Sequence, residues 1–469
     1  MQPAISPYPA RELVIDPVLI RGHDVSGPRY TSYPTADRFV EAFGEASLRQ
    51  WLERRNVGGI ALPLSLYVHL PFCDTLCYYC GCNKVITRDH TRSARYIKYL
   101  DKELALLAPQ LGEQPALAQL HWGGGTPTFL AHAEMAQLME SIHRVFSREA
   151  DAEYSIEIDP RRVAAGTMAF LAGLGFNRCS LGVQDFDPHV QKAVHRIQTV
   201  EETRRVVDEA RAAGFRSINL DLIYGLPKQT LDSFDRTLDQ VLELAPERIA
   251  LYSYAHLPTV FMPQRRILAA DLPLPEAKLQ ILTLAIGKLT RAGYVYIGMD
   301  HFAKPDDELT IAQAQGRLQR NFQGYSTHAE SDLIGIGVSS IGRVGPTYYQ
   351  NAKQLDQYYA ALDEGRLPVA RGLELTSDDL VRRAVIQALA CHFRVSLESI
   401  ELAYLVDFRK YFAEEMADLA RLERDGLVEL EPDWIVVTPK GRLLVRVICM
   451  VFDRYLREKQ VRASYSKVI

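Results

Sequence analysis

The sequence predicts an α/β fold: a partial (β/α)6, TIM-like barrel with an N-terminal extension and a mainly helical, winged-helix-like C-terminal domain. Three observations carry the prediction. Between about residues 64 and 260, six short apolar, β-branched runs alternate with amphipathic helical stretches, the order that a parallel sheet covered by helices requires. Polar or glycine-rich residues stand at the end of each run (Cys73, Gly123, Glu157, Gln184, Asp221 and Tyr254), and the carboxyl ends of barrel strands are where active sites are built. From about residue 375 the composition turns helical and closes on a hairpin-and-helix pattern.

Taken in order, residues 1–60 read as a lead-in. Pro3, Pro7, Pro9 and Pro17 punctuate its start, and GPRYTSYPTADRF is too rich in Pro and Tyr for a helix. EAFGEASLRQWLERR then has a helical pattern. Residues 61–365 form the barrel region. Its strands are LSLYVHL, LAQLHWGG, EYSIEID, RCSLGVQ, SINLDLIYGLP and RIALYSYA, with helices between them such as RYIKYLDKELALLAPQL and VEETRRVVDEARAAG. Past residue 260 come a helix (PEAKLQILTLAIGKLTRAG), a strand (YVYIGM) and a Gly-rich region, DLIGIGVSSIGRVG. Residues 366–469 begin with two helices, DDLVRRAVIQALACHF and FAEEMADLARLERDG, and end in a hairpin followed by a helix. A winged helix often reads DNA, but Glu414, Glu415, Asp418 and Glu423 make these helices acidic. A lid or docking module is the expected role.

Composition removes whole classes of function. The 469 residues are 47 % hydrophobic and 24 % charged, as in ordinary globular proteins. With 54 Lys and Arg against 58 Asp and Glu, the net charge is −4, so no global field holds nucleic acid or an anionic membrane. The N-terminus lacks a basic stretch followed by an apolar core, and no run approaches the ~18 apolar residues of a membrane span. Seven cysteines are too few for a disulfide scaffold at this length. A cytoplasmic protein is expected, and, with no heptad or exposed strand pattern, a monomer.

Four of those cysteines, Cys73, Cys77, Cys80 and Cys82, fall in HLPFCDTLCYYCGCNK. A structural zinc site wants two separated ligand pairs, and Cys179, Cys391 and Cys449 stand isolated downstream. A thioredoxin-like CxxC needs only two cysteines. An iron–sulfur cluster suits soft thiolates on a short loop after a strand. The C-x3-C-x2-C spacing after the first strand of a β/α barrel resembles the radical S-adenosylmethionine (SAM) superfamily. The resemblance implies a radical SAM barrel in which Cys73, Cys77 and Cys80 hold three irons of a [4Fe–4S] cluster. The fourth iron then stays open for SAM, whose reductive cleavage yields methionine and a hydrogen-abstracting radical. Phe72, Tyr78 and Tyr79 are expected to shield the cluster, with Tyr79 against adenine. The glycines of WGGGTPT are expected to offer backbone amides to the methionyl part of SAM.

Nearly the full length is similar to the branch of that superfamily acting on coproporphyrinogen III without oxygen. The segments carrying this are GPRYTSYPTA, YVHLPFCDTLCYYCGCNK, HWGGGTPT, SIEIDPR, LGVQDFD, DLIYGLP, IGMDHFAKPDDEL, NFQGYSTH and VTPKGRLLVRVICMVFDRYL. The resemblance implies an oxidoreductase of porphyrin and haem biosynthesis that turns two propionates into vinyls, giving protoporphyrinogen IX. It needs an electron donor for the cluster and an acceptor for the substrate electron. It marks Tyr67, Tyr79, Gly124, Glu157, Gln184, Arg196, Asp221 and Ala255 as SAM contacts, and Gly125, Thr126, Arg196 and Ile341 as neighbours of a second SAM. Arg29, Tyr30, His69 and Gln323 are candidates for the substrate, Tyr67 joins Arg29, Tyr30 and Gln323 as a catalytic candidate, and GPRYTSYP is expected over the barrel mouth. A related lineage binds haem as a chaperone without this turnover. Its members start near the first strand, carry Phe in place of Cys82 and have an HNxxYW motif that this chain lacks.

Overall fold

The computed structural model describes residues 13–55, 63–328, 331–458, 465, 467 and 468. Pro3, Pro7 and Pro9 and the expected boundary at residue 60 lie outside them. The six barrel strands are β1 (Leu64–Leu70), β4 (Ala116–Gly124), β5 (Ser147–Ile158), β6 (Arg178–Gln184), β7 (Ser217–Tyr224) and β8 (Arg248–Ser253), with two-residue strands β2 (Phe72–Cys73) and β3 (Val85–Ile86) between the first two. Each of the six pairs in parallel with the next. The period of two explains β1: Leu64, Leu66, Val68 and Leu70 are buried on one face, which leaves Ser65, Tyr67 and His69 together on the other. Connecting helices start where the chain caps them. Thr199 accepts from Glu202 N at 3.0 Å and Glu202 Oε2 accepts from Thr199 N at 2.8 Å, so Val200–Ala212 begins on a closed capping box.

The sheet extends further than the six repeats. Downstream follow β9 (Val295–Gly298), β10 (His301–Ala303), β11 (Gln319–Asn321), β12 (Gly324–Ser326), β13 (Asp332–Ile336), β14 (Ile341–Val344), β15 (Thr347–Asn351) and β16 (Val369–Glu374). β13 pairs in parallel with the free edge of β1, and the order becomes β16-β15-β14-β13-β1-β4-β5-β6-β7-β8-β10-β9, twelve strands in one sheet. The Gly-rich region is therefore strand. Its glycines allow close packing: a Cβ on Gly335 would stand 2.6 Å from Ile341 O, and one on Gly342 would stand 2.3 Å from the Tyr349 ring. Glu103 of the helix Thr91–Leu111 clamps the β13–β14 turn, accepting from Gly337 N at 2.8 Å, Asn351 Nδ2 at 2.6 Å and Tyr358 OH at 2.6 Å.

One of the strand-end positions sits elsewhere than expected: Asp221 is in the middle of β7, lining the barrel lumen, whereas Tyr254 directly follows β8 as expected. The C-terminal part has β17 (Arg394–Ser396), β18 (Val428–Leu430) and β19 (Trp434–Val437), ordered β17-β19-β18 and antiparallel, with the helices Ser377–His392, Ala413–Arg424 and Val445–Val451. That is a three-stranded wing on helices. Among the described residues, no helix is long and apolar enough to cross a membrane.

One arginine ties the lead-in to this part. Arg446 is 5 % exposed. It donates to the carbonyls of Gly27, Pro28 at 3.0 Å, Lys467 at 3.0 Å and Val468 at 3.1 Å. The chain then runs to the barrel mouth, where Arg29 donates to Ser253 O at the end of β8, at 3.4 Å. Arg446→Met keeps the volume and removes all four donations, each worth about 1–3 kcal/mol to a charged group. Limited proteolysis should cut residues 24–32 several-fold faster while the circular dichroism of the barrel stays unchanged. Equal resistance would show that the arginine does not hold the lead-in.

Candidate active site

The loop after β1 carries the thiols, and its backbone is pinned on both sides. Tyr78 N donates to Val194 O at 3.0 Å, Cys80 N donates to Cys77 O at 3.3 Å, and Lys84 Nζ donates to Cys80 O at 2.9 Å. Cys73, Cys77, Cys80 and Cys82 are all unpaired thiols. With Tyr79, Glu157, Gln184, Arg196 and Asp221 they line a cavity of about 260 Å3. Of the three expected shielding aromatics, only Tyr79 faces it. Phe72 packs inward, edge-on to Tyr96 at 5.5 Å and stacked on Phe129 at 5.4 Å, and Tyr78 stacks on His195 at 5.1 Å.

Donor chemistry tests whether the thiols suit a cluster. Burial pushes the Cys73 thiol up to about 12, only partly offset by the Thr126 hydroxyl 3.4 Å away. Such a thiol becomes a thiolate only beside a cation, which a metal supplies. A hydrogen bond between Cys80 and Cys82 holds the Cys82 thiol up and draws Cys80 down. Among the described residues no three His, Cys, Asp or Glu converge on a single ion. Thiols spread along one loop suit a cubane, whose ligands stand at separate corners. The residues present fit the cluster.

The opposite wall is made of carboxyls with different characters. Glu157 Oε2 accepts from Gly124 N at 3.0 Å, and Oε1 lies 3.4 Å from His121 Nε2. Burial would raise this carboxyl, but His121 and Gly124 outweigh it and hold Glu157 below the usual carboxylate range. Asp221 accepts from Ser180 Oγ at 2.7 Å and Asn219 Nδ2 at 2.8 Å, and burial pushes it up to about 6. An ionised acceptor beside a readily protonated one suits an ammonium and ribose hydroxyls, respectively. Gly124 has φ +114°, and a Cβ there would fall 2.6 Å from the His69 ring. One on Gly125 would fall 2.7 Å from Pro71 carbonyl atoms. Close approach is thus required, but the amides are taken: Gly124 N by Glu157 and Gly125 N by Leu70 O at 2.8 Å. The expectation of free glycine amides is corrected on that ground.

Arg196 is 7 % exposed and leaves no doubt about its partner. Nη1 meets Asp159 Oδ2 at 3.2 Å and Cys77 Sγ at 3.6 Å, and Nε donates to Gly182 O at 3.1 Å. Arg161 grips the same Asp159 at 2.6 Å. Burial would raise Asp159, but Arg196 and then Arg161 hold it at about 2. Asp159 and Arg161 were not among the sequence candidates. Their signal was there in SIEIDPR, a charged pair flanking a Pro at a strand end.

A second cavity of about 190 Å3 fills the barrel lumen and shares Glu157, Ser180, Asp221 and Tyr252 with the first. Gln323, at the tip between β11 and β12, lines it, and its Nε2 is buried and unpartnered, as is Asn219 Oδ1. The Arg29 guanidinium lies 5.8 Å from the Tyr252 ring centre. Tyr30 is turned away, donating to Asp453 Oδ2 at 3.0 Å in the C-terminal part. His69 is already bonded at both ring nitrogens, 3.0 Å from Tyr67 OH and 2.9 Å from Asn83 O. Tyr67 also stacks on His121 at 5.8 Å. Gln184 ends β6 with φ +68°, and Ala255 follows β8. Ile341 opens β14 among Phe39 and Tyr348, outside the residues lining either cavity.

Asp159→Asn strands the Arg196 charge and should cost about 3–5 kcal/mol, read as a lower urea midpoint. The folded carboxyl at about 2 lies below its ordinary value near 3.9. The stability it gives is therefore present above about pH 4 and lost as pH falls toward 2. Wild type should lose stability over that window more steeply than Asp159→Asn. Parallel acid profiles would refute the pairing.

Comparison with known proteins gives the family and the fold. Residues 67–241 match the radical SAM superfamily, and residues 375–444 match the HemN C-terminal domain. The chain is 54 % identical over 457 residues to an oxygen-independent coproporphyrinogen III oxidase of Pseudomonas aeruginosa, covering 97 % of this chain and 98 % of that protein. It is 50 % identical to the Escherichia coli protein of the same name, at the same coverage. A solved structure titled as coproporphyrinogen III oxidase (HemN) from Escherichia coli, a radical SAM enzyme, superposes with a TM-score of 0.91 at 49 % identity, covering 95 % of this chain and 100 % of that one. The cysteine loop, the carboxyl wall and the C-terminal wing thus have one source: this chain belongs to the oxygen-independent coproporphyrinogen III oxidase family of the radical SAM superfamily.

Proposed function

We propose that this protein converts two propionates of coproporphyrinogen III to vinyls, giving protoporphyrinogen IX in porphyrin and haem biosynthesis without oxygen. The observation that carries the reading is 54 % identity to a curated oxidase over an alignment that covers 97 % of the chain. A haem chaperone reading has no such support, since the curated relatives named above are oxidases. In this reading Cys73, Cys77 and Cys80 hold the [4Fe–4S] cluster. Tyr79, Gly124, Glu157, Gln184 and Asp221 face SAM. Bound there, the cluster and SAM would supply the one-electron chemistry that removes a hydrogen atom from a propionate β-carbon.

The chain's own residues do the rest. Glu157 binds the ammonium of SAM and Asp221 a ribose hydroxyl, while Arg196, neutralised by Asp159, holds Cys77 and the β6 end in place. Gln323 offers its unpartnered amide to the substrate from the lumen side, and Arg29, over Tyr252, offers a cation to a propionate. Each vinyl would be completed by loss of CO2 and of one electron to an external acceptor, and the cluster would need an external one-electron donor. A second SAM beside Gly125, Thr126, Arg196 and Ile341 belongs to the same reading. So do the divisions at residues 60 and 365, and work in the cytoplasm as a monomer without nucleic acid.

The reconstituted protein, given SAM, a reductant, an electron acceptor and coproporphyrinogen III under anaerobic conditions, should release two CO2 per substrate, with methionine, by mass spectrometry. Tight haem binding without turnover would replace the enzyme reading by the chaperone one. Cys80→Ser should lose most iron and SAM cleavage, because serine is a hard, poorly acidic substitute for a thiolate. Cys82→Ser should keep most iron yet lose activity. Equal iron loss in both would make Cys82 a ligand.

A further inference from the structure

Beyond the β11–β12 hairpin lies a larger cavity, about 730 Å3, that the active site does not use. Asn321 and Ser326 stand between it and the lumen. Its volume falls in the range of small-molecule sites, about 300–1,000 Å3. The lead-in helix Glu45–Arg55, the hairpin and the helix Ser377–His392 all contribute walls.

The charge of the walls is one-sided. Five arginines line the cavity, and the carboxylate among its described lining residues, Asp332, is held by Arg55 at 3.0 Å. Arg320 is 7 % exposed; its Nε and Nη1 have no hydrogen-bond partner, and its guanidinium lies 4.9 Å from the Tyr325 ring centre. Nη1 of Arg383 and Nδ1 of His392 are likewise buried and unpartnered. A buried cation without a counter-ion is costly, and residues of both elements that carry these donors line the same cavity. Between them lie flat apolar faces, Phe322 and Trp51, the latter carrying Arg54 at 4.6 Å from its ring.

We propose that this cavity binds an organic anion bearing two or more carboxylates on a flat, largely apolar body. Arg54 and Arg383 take the carboxylates through forked hydrogen bonds, and the aromatic faces cover the body. Carboxylated tetrapyrroles, which the reaction proposed above consumes and releases, have this chemistry, and to that extent the inference rests on that reading. A flat aromatic polycarboxylate of other origin shares it.

The test is a fluorescence titration of the full-length protein with coproporphyrin III, an air-stable tetracarboxylate, followed by competition. Arg383→Gln should weaken binding about tenfold and Arg54→Gln about fivefold, with unchanged circular dichroism; if the first fails to fold, the second carries the test. The tetramethyl ester should not compete. Displacement by benzene-1,3,5-tricarboxylate would support the site and assign its ligand outside the tetrapyrroles. Resistance to it would support the site and assign a tetrapyrrole. Absent binding by wild type, affinity within twofold of wild type in the folded variants, or equal binding of the ester would overturn the proposal. Turnover of coproporphyrinogen III is measured separately: its failure would remove the proposed function and leave an arginine-dependent anion site standing.

Discussion

A guanidinium buried beside a cysteine sets the terms for the active site. Arg196 sits out of water between the cysteine loop, the end of β6 and the residues after β5, touching Cys77, Gly182 and Asp159. A charge so placed is tolerable only if its counter-charge is fixed, so Asp159 must stay ionised, and Arg161 keeps it so. The cysteine loop is thereby locked to the adjacent ends of the paired strands β5 and β6. The position of Cys77, and with it the cluster loop, follows from that lock.

The same economy runs through the wall opposite. Glu157 is tied to the Gly124 amide and to His121, and the missing side chain at Gly124 lets the backbone lie against His69. His69 in turn bonds Tyr67 and Asn83, the latter past the cysteines. Thus β1, β4, β5 and the end of the cysteine loop are joined through polar contacts at the mouth of the barrel, where SAM is to bind. The lumen below is less fully satisfied. Gln323 and Asn219 each keep a buried polar atom there without a hydrogen-bond partner, groups that packing alone leaves unsatisfied.

Much of this was legible in the sequence. Strands β1 and β4 to β8 announced themselves as apolar, β-branched runs because both faces of a parallel sheet are covered. The cysteine spacing, read with the strand before it, pointed to the cluster. What stayed hidden has physical reasons. DLIGIGVSSIGRVG reads only as a Gly-rich region because glycine is a poor strand former in isolation, yet Gly335 and Gly342 are there to admit a carbonyl and a tyrosine ring. That β13 pairs with β1 is a contact between residues far apart in the chain, to which periodicity is blind. Tyr30, in a promising Tyr-rich segment, spends its hydroxyl on Asp453, a partner no local pattern identifies. Asp159 was passed over because its importance lies in neutralising Arg196, a relation visible only in three dimensions.

The central claim is a cluster held by three thiolates with one iron left for SAM. Anaerobically reconstituted protein, reduced and examined by electron paramagnetic resonance with and without SAM, tests it most directly. A [4Fe–4S] signal whose g-values shift when SAM is added is the result this account predicts, since SAM then binds the open iron. A signal indifferent to SAM, or colourless protein carrying stoichiometric zinc, would contradict it.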